Sequence, residues 1–249
     1  MEYIVDDDGR KYTLLDGKLH SYTDPETGLT LPAQICHGGD AYWCKNGLYH
    51  REDKDPETGL TLPAVIEIED GGGLILWMKD GIYHRDDKDP ETGLTLPAMI
   101  DYHGYQAWYK EGELHRDDKD PITGLTLPAI ISSQGNQSWC ENGMRHRVDK
   151  DPETGLTLPA MICSNGDMYW YKNDQLHRDD KIDGLTLPAI IKLDEYQAWF
   201  INGMRHRDEL FARPALINAN GDAEWWINGV KIKECKNYQP QVKSASKAK

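Results

Sequence analysis

The chain has 249 residues, a formal net charge of -14 and a mean hydropathy of -0.70. That balance argues against nucleic acid or an anionic lipid surface as a partner of the folded body, because both are held by concentrated Lys and Arg. No apolar run approaches the roughly 20 residues that span a bilayer as a helix. The start, Met1-Glu2-Tyr3-Ile4-Val5-Asp6-Asp7-Asp8, has neither the basic nor the apolar region of a secretory leader. The five Cys are odd in number and do not fall at fixed places, so a disulfide framework is not expected and a reducing intracellular setting fits better.

In chain order the first feature is faint. Residues 3–20 carry Gly9, Asp16-Gly17 and His20 where turns and a histidine recur later, with Thr13 where a tryptophan is expected. Residues 1–32 therefore read as an N-terminal capping repeat, since the ends of repeat arrays are atypical. Asp-Pro-Glu-Thr-Gly-Leu-Thr-Leu-Pro-Ala then occurs unchanged at residues 24–33, 55–64, 89–98 and 151–160. It appears once with Ile122 in place of Glu, and once shortened to Ile182-Asp183-Gly184-Leu185-Thr186-Leu187-Pro188-Ala189. Near the end only Arg207-Asp208-Glu209-Leu210-Phe211-Ala212-Arg213-Pro214-Ala215 remains. Such a chain is a repeat array, whose copies bury their apolar groups against their neighbours.

Residues 33–214 read as six copies of about 31 residues, 215–235 as a C-terminal capping repeat and 236–249 as a disordered basic tail. Each copy has short segments rich in β-branched and aromatic residues, bounded by Asn-Gly, Asp-Gly or Gly-rich pairs, so the fold class is all-β. A Pro in every copy and the lack of a 3.6-residue period exclude helices. Three strands per copy in a simple meander would flip each successive copy and place identical residues in opposite environments. Two strands keep all copies alike. The expected unit is an Ala-x-Ile strand and a Trp strand joined by a short Gly turn. About eight such hairpins make an elongated, solenoid-like, single-layer antiparallel sheet. The 17 residues from Asn46 to Leu62 then form one long connection, organised by an Asn-Gly turn and an Asp-Pro-Glu-Thr-Gly turn and packed down by Leu60 and Leu62.

Three recurrent constellations carry chemistry. His-Arg-x-Asp pairs His50 with Arg51, His84 with Arg85, His115 with Arg116, His146 with Arg147, His177 with Arg178 and His206 with Arg207. Imidazole and carboxylate within one loop suit a divalent ion. The same groups suit a structural clamp that bonds loop carboxylates and carbonyls and holds the refrain against the sheet. The tryptophans Trp43, Trp77, Trp108, Trp139, Trp170, Trp199 and Trp225 recur once per copy. They suit either an exposed row that stacks on sugars or protein side chains, or a buried aromatic ladder. Cys140 and Cys163 become near neighbours if Ala160 faces Asn142. A zinc site there lacks two of four ligands, so Zn²⁺ is the only cofactor to consider and none is expected. No phosphate loop, nucleophile elbow or singular Cys-His pair is present, and an enzyme is not expected.

The order strand, Asn-Gly-x-x-His, loop, strand, Gly turn resembles the MORN-type repeat. It is more similar still to the Trp-x-x-Asn-Gly-x-x-His-Arg…Pro-Ala repeats of large DNA viruses of amoebae, the marseillevirus and mimivirus groups. The residues that carry this are Trp139, Asn142-Gly143, His146-Arg147 and Pro159-Ala160 with their counterparts in neighbouring copies, over roughly residues 9–230. The chain departs from the MORN pattern in having Arg after the His and a longer connection. The resemblance implies a scaffold of successive hairpins, and a virion or infection-associated protein located in the host cytoplasm, viral factory or virion. It would act through protein partners rather than catalysis.

Overall fold

In the computed structural model the described residues are 1–69, 72–207 and 213–239. Among them every regular element is a strand, and every strand pairing is antiparallel. The chain forms two compact units, Met1–Met144 and Arg145–Lys249. In the first unit the sheet runs in chain order. Glu2–Val5 pairs with Lys11–Leu15, which also pairs with Gln34–Ile35. Ala41–Tyr42, Val65–Glu69, Gly72–Leu76, Met99–Asp101, Gln106–Ala107, Ile130–Ile131 and Gln137–Ser138 follow in turn. In the second unit the order is Met161–Ile162, Met168–Tyr169, Ile190–Lys192, Tyr196–Ala198, Leu216–Asn218, Ala223–Ile227 and Val230–Cys235.

Each interior copy gives this sheet two strands, so equivalent side chains always face the same way. Every copy also carries a second, smaller hairpin, which is a difference from the expected single long connection. Tyr109–Lys110 pairs with Glu113–Leu114 across the Glu111-Gly112 turn, and Met78–Lys79 pairs likewise with Ile82–Tyr83. The strand expected through Gln106, Trp108 and Lys110 changes partners at the tryptophan. Trp108 N–H still bonds Ala129 O, while Trp108 O already accepts from His115 N–H of the small hairpin. Glu111 and Gly112 both have positive φ, at 53° and 85°, the geometry that closes a two-residue hairpin. Gly112 is also a close approach, since a Cβ there would lie 3.4 Å from Ile82 of the preceding copy.

The small hairpins pack on one side of the sheet. In the first unit Met78 and Tyr83 meet Val65, Leu76, Tyr42 and Met99, all on that side by strand alternation. On the other side lie Ala98, Trp108 and Ala129, all buried. Further along the same side runs a row of half-buried Ile, including Ile66, Ile75, Ile100 and Ile131.

The ends are irregular in defined ways. Thr13 takes the tryptophan's place and repeats its backbone bonds, to Ala33 O and from His20 N–H. At the other end Val230–Cys235 adds a third strand with a bulge at Trp225/Trp226. Of the segment expected as a disordered tail, residues 236–238 are tied down. Lys236 Nζ donates to Asp222, Tyr238 N–H bonds Gly221 O at 2.7 Å, and the Tyr238 ring meets Trp225 edge-on. Residues 240–249 lie outside the described residues, as do residues 208–212 of the degenerate last refrain.

Candidate functional site

The refrain is a turn built by its own side chains. Asp120 N–H bonds Leu125 O, and Gly124 N–H bonds Asp120 O, both at 2.8 Å. The Asp120 carboxylate accepts from the N–H of Ile122 and Thr123 and from the Thr123 hydroxyl. These bonds, the Thr123 N–H first, hold its carboxyl below the usual carboxylate range. Pro121 fixes the first corner and Gly124, at φ 70°, takes the left-handed residue. Lys119 and Thr126 then bridge across the base of the turn.

The His-Arg-x-Asp groups sit beside this turn and work between copies. Arg116 Nε–H donates to Asp118 at 3.0 Å and its Nη1 to Pro128 O at 3.3 Å. Asp118 also accepts from the N–H and hydroxyl of Thr95, in the preceding refrain, at 2.9 Å each. The Arg116 guanidinium lies 3.9 Å over the Trp108 ring, and Trp108 Nε1–H reaches back to Thr95 O at 2.7 Å. One Trp, Arg, Asp and Thr thus close a ring of contacts that joins two copies. The same Arg–Asp pairing recurs at Arg51–Asp53, Arg85–Asp87, Arg147–Asp149 and Arg178–Asp180, at 2.9–3.1 Å. Arg207, in the last such place, is buried over Trp199 and bonds Pro214 O.

Burial sets the electrostatics of these pairs. For Asp87 desolvation alone would raise the carboxyl, but hydrogen bonds from Lys54, Arg85 and Thr61 outweigh it and hold the group below its ordinary range. Burial lowers the Arg116 guanidinium from its usual value, and Asp118 opposes that shift. Each charge is therefore removed from water and returned a partner of opposite sign, an arrangement that is costly to break from one side.

The histidines make a second set of links. His115 Nδ1 accepts from the N–H of Asn142 in the next small hairpin at 3.2 Å. His20, His50, His146, His177 and His206 receive the N–H of Asn46, Asp80, Asn173, Asn202 and Asn228 in the same way, at 3.1–3.2 Å. With Nδ1 an acceptor, the neutral ring carries its proton on Nε2, which in several copies faces an acid two residues on. That contact is His115 to Asp117 at 2.7 Å, His84 to Asp86 at 2.8 Å and His50 to Glu52 at 3.2 Å. In His115 both ring nitrogens are thus engaged within the protein. Among the described residues no group of three His, Cys, Asp or Glu side chains is placed to hold a metal ion.

The seven tryptophans named from the sequence are buried, none more than 8% exposed. They form the ladder beneath the refrain, with arginines rather than solvent over the rings of Trp43, Trp77, Trp108, Trp170 and Trp199. Cys140 is buried in the first unit and Cys163 half-buried in the second. Burial first, and Asp167 next, push the Cys163 thiol up, away from the thiolate a metal requires. Cys44 is pushed up to about 11 by burial. Asp118 belongs to the His-Arg-x-Asp motif, but Thr95 and its equivalents, which bond it from the preceding refrain, were not singled out by sequence reasoning. Their one signal is that they recur in every full copy.

Between successive small hairpins lies a recurring pocket, at Arg51–Asp86, Arg85–Asp117 and His146–Asp179. No helix among the described residues is long and apolar enough to cross a membrane. No protein-family model matches the chain, and neither does any curated protein. What is established is therefore the architecture: an all-β array of antiparallel hairpin repeats.

Proposed function

We propose that this chain is a structural or protein-interaction repeat module without catalytic activity, of the virion or infection-associated kind that its resemblance implies. The observation that carries the reading is where the reactive side chains are used. Histidine, arginine, aspartate and tryptophan recur in every full copy, and in the copy of Trp108 and Arg116 their polar atoms are engaged in copy-to-copy bonds. A repeated joint of this sort serves a chain that presents many equivalent surface positions, where several weak contacts add to one strong attachment. Its acidic surface suits protein partners bearing basic patches.

The test is affinity capture from infected cells with the full chain, set beside the protein inventory of purified virions. The expected result is a reproducible partner whose recovery falls as salt rises. A chain that turns over a substrate, or that recovers no partner from infected cells and is absent from virions, overturns the reading. Native mass spectrometry with and without chelator tests the metal-binding alternative. One unchanged mass is expected, and a mass that drops with chelator would replace the clamp by a metal site.

A further inference from the structure

The recurring pocket is not the same in every copy. At Arg85–Asp117 it measures about 140 Å³ and at Arg51–Asp86 about 180 Å³, and in both the hairpin lysine is neutralised. Lys110 pairs with Asp117 of its own copy at 2.8 Å, and Lys79 pairs with Glu52 of the preceding copy at 2.6 Å. The third pocket, in the second unit, is the largest at about 210 Å³. There Val148 stands where the other copies have Glu52, Asp86, Asp117 and Asp179. Lys172, the counterpart of Lys79 and Lys110, has no acid from the preceding copy to meet. Among the described residues no side-chain hydrogen bond or ion pair is recorded for it.

A second departure falls in the same pocket. His177 Nδ1 accepts from Asn202 N–H at 3.2 Å, so the ring proton is on Nε2. That Nε2 is buried and has no hydrogen-bond partner. Asp179 is 3.6 Å away, where the equivalent distances are 2.7 Å for His115 to Asp117 and 2.8 Å for His84 to Asp86. Of the remaining charges Arg147 pairs with Asp149 and Arg178 with Asp180, while the exposed Asp179 carboxylate also lines the pocket and comes no nearer to His177 than 3.6 Å. One pocket therefore combines a lost acid, an unneutralised ammonium and an unanswered buried N–H donor. Val148 and Leu158 give it an apolar wall.

We propose that the pocket lined by Val148, Leu158, Lys172 and His177 binds a carboxylate carried on a short aliphatic stem. One carboxylate oxygen accepts from Lys172 Nζ and the other from His177 Nε2–H, while the stem lies against Val148 and Leu158. Such a group is either a free short-chain acid or the side chain of a glutamate in a partner. The volume is that of about seven waters, which admits roughly the six heavy atoms of a four-carbon acid and is too small for a whole hexose. This site goes beyond the module reading and stands or falls separately from it.

The experiment is a nuclear magnetic resonance titration of the full isotope-labelled chain with two probes, butyrate and N-acetyl-glutamate amide. Saturable shifts are expected at the His177 imidazole and the Lys172 ammonium, with none at His115 and Lys110 in the equivalent pocket. Butyrate alone shifting them names a free acid, and the glutamate derivative alone names a side chain. Val148→Asp restores the acid that four other copies carry and so keeps the fold. It is expected to weaken binding about tenfold or more, as a like charge placed in a polar contact does. Lys172→Gln should weaken it as well. Three results overturn the proposal: no saturable shift with either probe, equal shifts at His115, or binding unchanged in Val148→Asp. A His177 Nε2 signal already matching that of acid-bonded His115 without ligand would also overturn it, because Asp179 then fills the place.

Discussion

Two regions of each copy lie a few residues apart and differ in almost every respect. The joint, made by Trp108, Arg116, Asp118 and Thr95, is buried and recurs with the same partners in copy after copy. The tips of the sheet hairpins are largely exposed and differ from copy to copy, apart from a Gly of positive φ that turns most of them. They read His37-Gly38-Gly39-Asp40, Tyr102-His103-Gly104-Tyr105, Ser133-Gln134-Gly135-Asn136 and Leu193-Asp194-Glu195-Tyr196. The contrast shows that fidelity of copying within this chain follows mechanical constraint. A joint has to fit two neighbours at once, whereas a tip has only to turn.

The largest expected break in that contrast is at the joint. Arg116→Ala removes the partner of a buried carboxylate and the cover of a buried ring, and should cost about 3–5 kcal/mol. Trp108→Ala should cost a similar ~3–5 kcal/mol by emptying a core position. Both are read from urea unfolding, and a loss below that of a surface substitution would show that the joint is not what holds neighbours together. Thr95→Val is the next step down. It removes the hydroxyl donor to Asp118 while keeping the shape, with an expected loss of about 1–2 kcal/mol. His115→Ala removes the acceptor for Asn142 N–H and should cost about 1 kcal/mol. Adding a chelator to the wild type should leave its unfolding midpoint where it was.

At the tips the same measurement should hardly move. Tyr102→Ser, at a side chain 79% exposed, is expected within about 0.5 kcal/mol of the parent. Acid should separate the regions too. Asp87 and Asp53 in the joints are held below the ordinary carboxylate range, against the upward pull of burial, by their hydrogen bonds. A lowered folded value means that the stabilisation is complete above the unfolded value of about 3.9 and is lost as pH falls through the folded one. Acid unfolding should therefore begin below about pH 4 and expose the tryptophans to quenching. A fluorescence transition centred well above that pH would assign acid sensitivity to other groups.

Much of this was legible in the sequence because it is local. The refrain turn follows from Asp, Pro and Gly in fixed order, and the two-strand unit follows from the demand that every copy face the same way. The second hairpin was not legible. Its strands are two residues long, too short to show alternation, and Gln106-Ala107-Trp108-Tyr109-Lys110 alternates smoothly across the point where the strand changes partners. The bonds from Thr95 to Asp118 and from His115 to Asn142 were hidden for another reason. They connect residues 23 and 27 positions apart, and a repeat unit read one copy at a time shows only half of each. Val148 was visible as a departure from its counterparts. That it leaves Lys172 without an acid from the preceding copy becomes apparent only when the neighbouring hairpins stand side by side.

The two-strand unit has a consequence for how such a chain can change. Unequal crossing-over between near-identical stretches adds or removes whole copies. Each whole copy contributes an even number of sheet strands, so every strand after the exchange keeps its direction and its inward and outward faces. The new seam is made by the same tryptophan, arginine and aspartate as the old ones. Length is thus a nearly neutral variable within a unit, open to selection for reach, while an exchange that gained one strand alone would turn every later side chain to the wrong face.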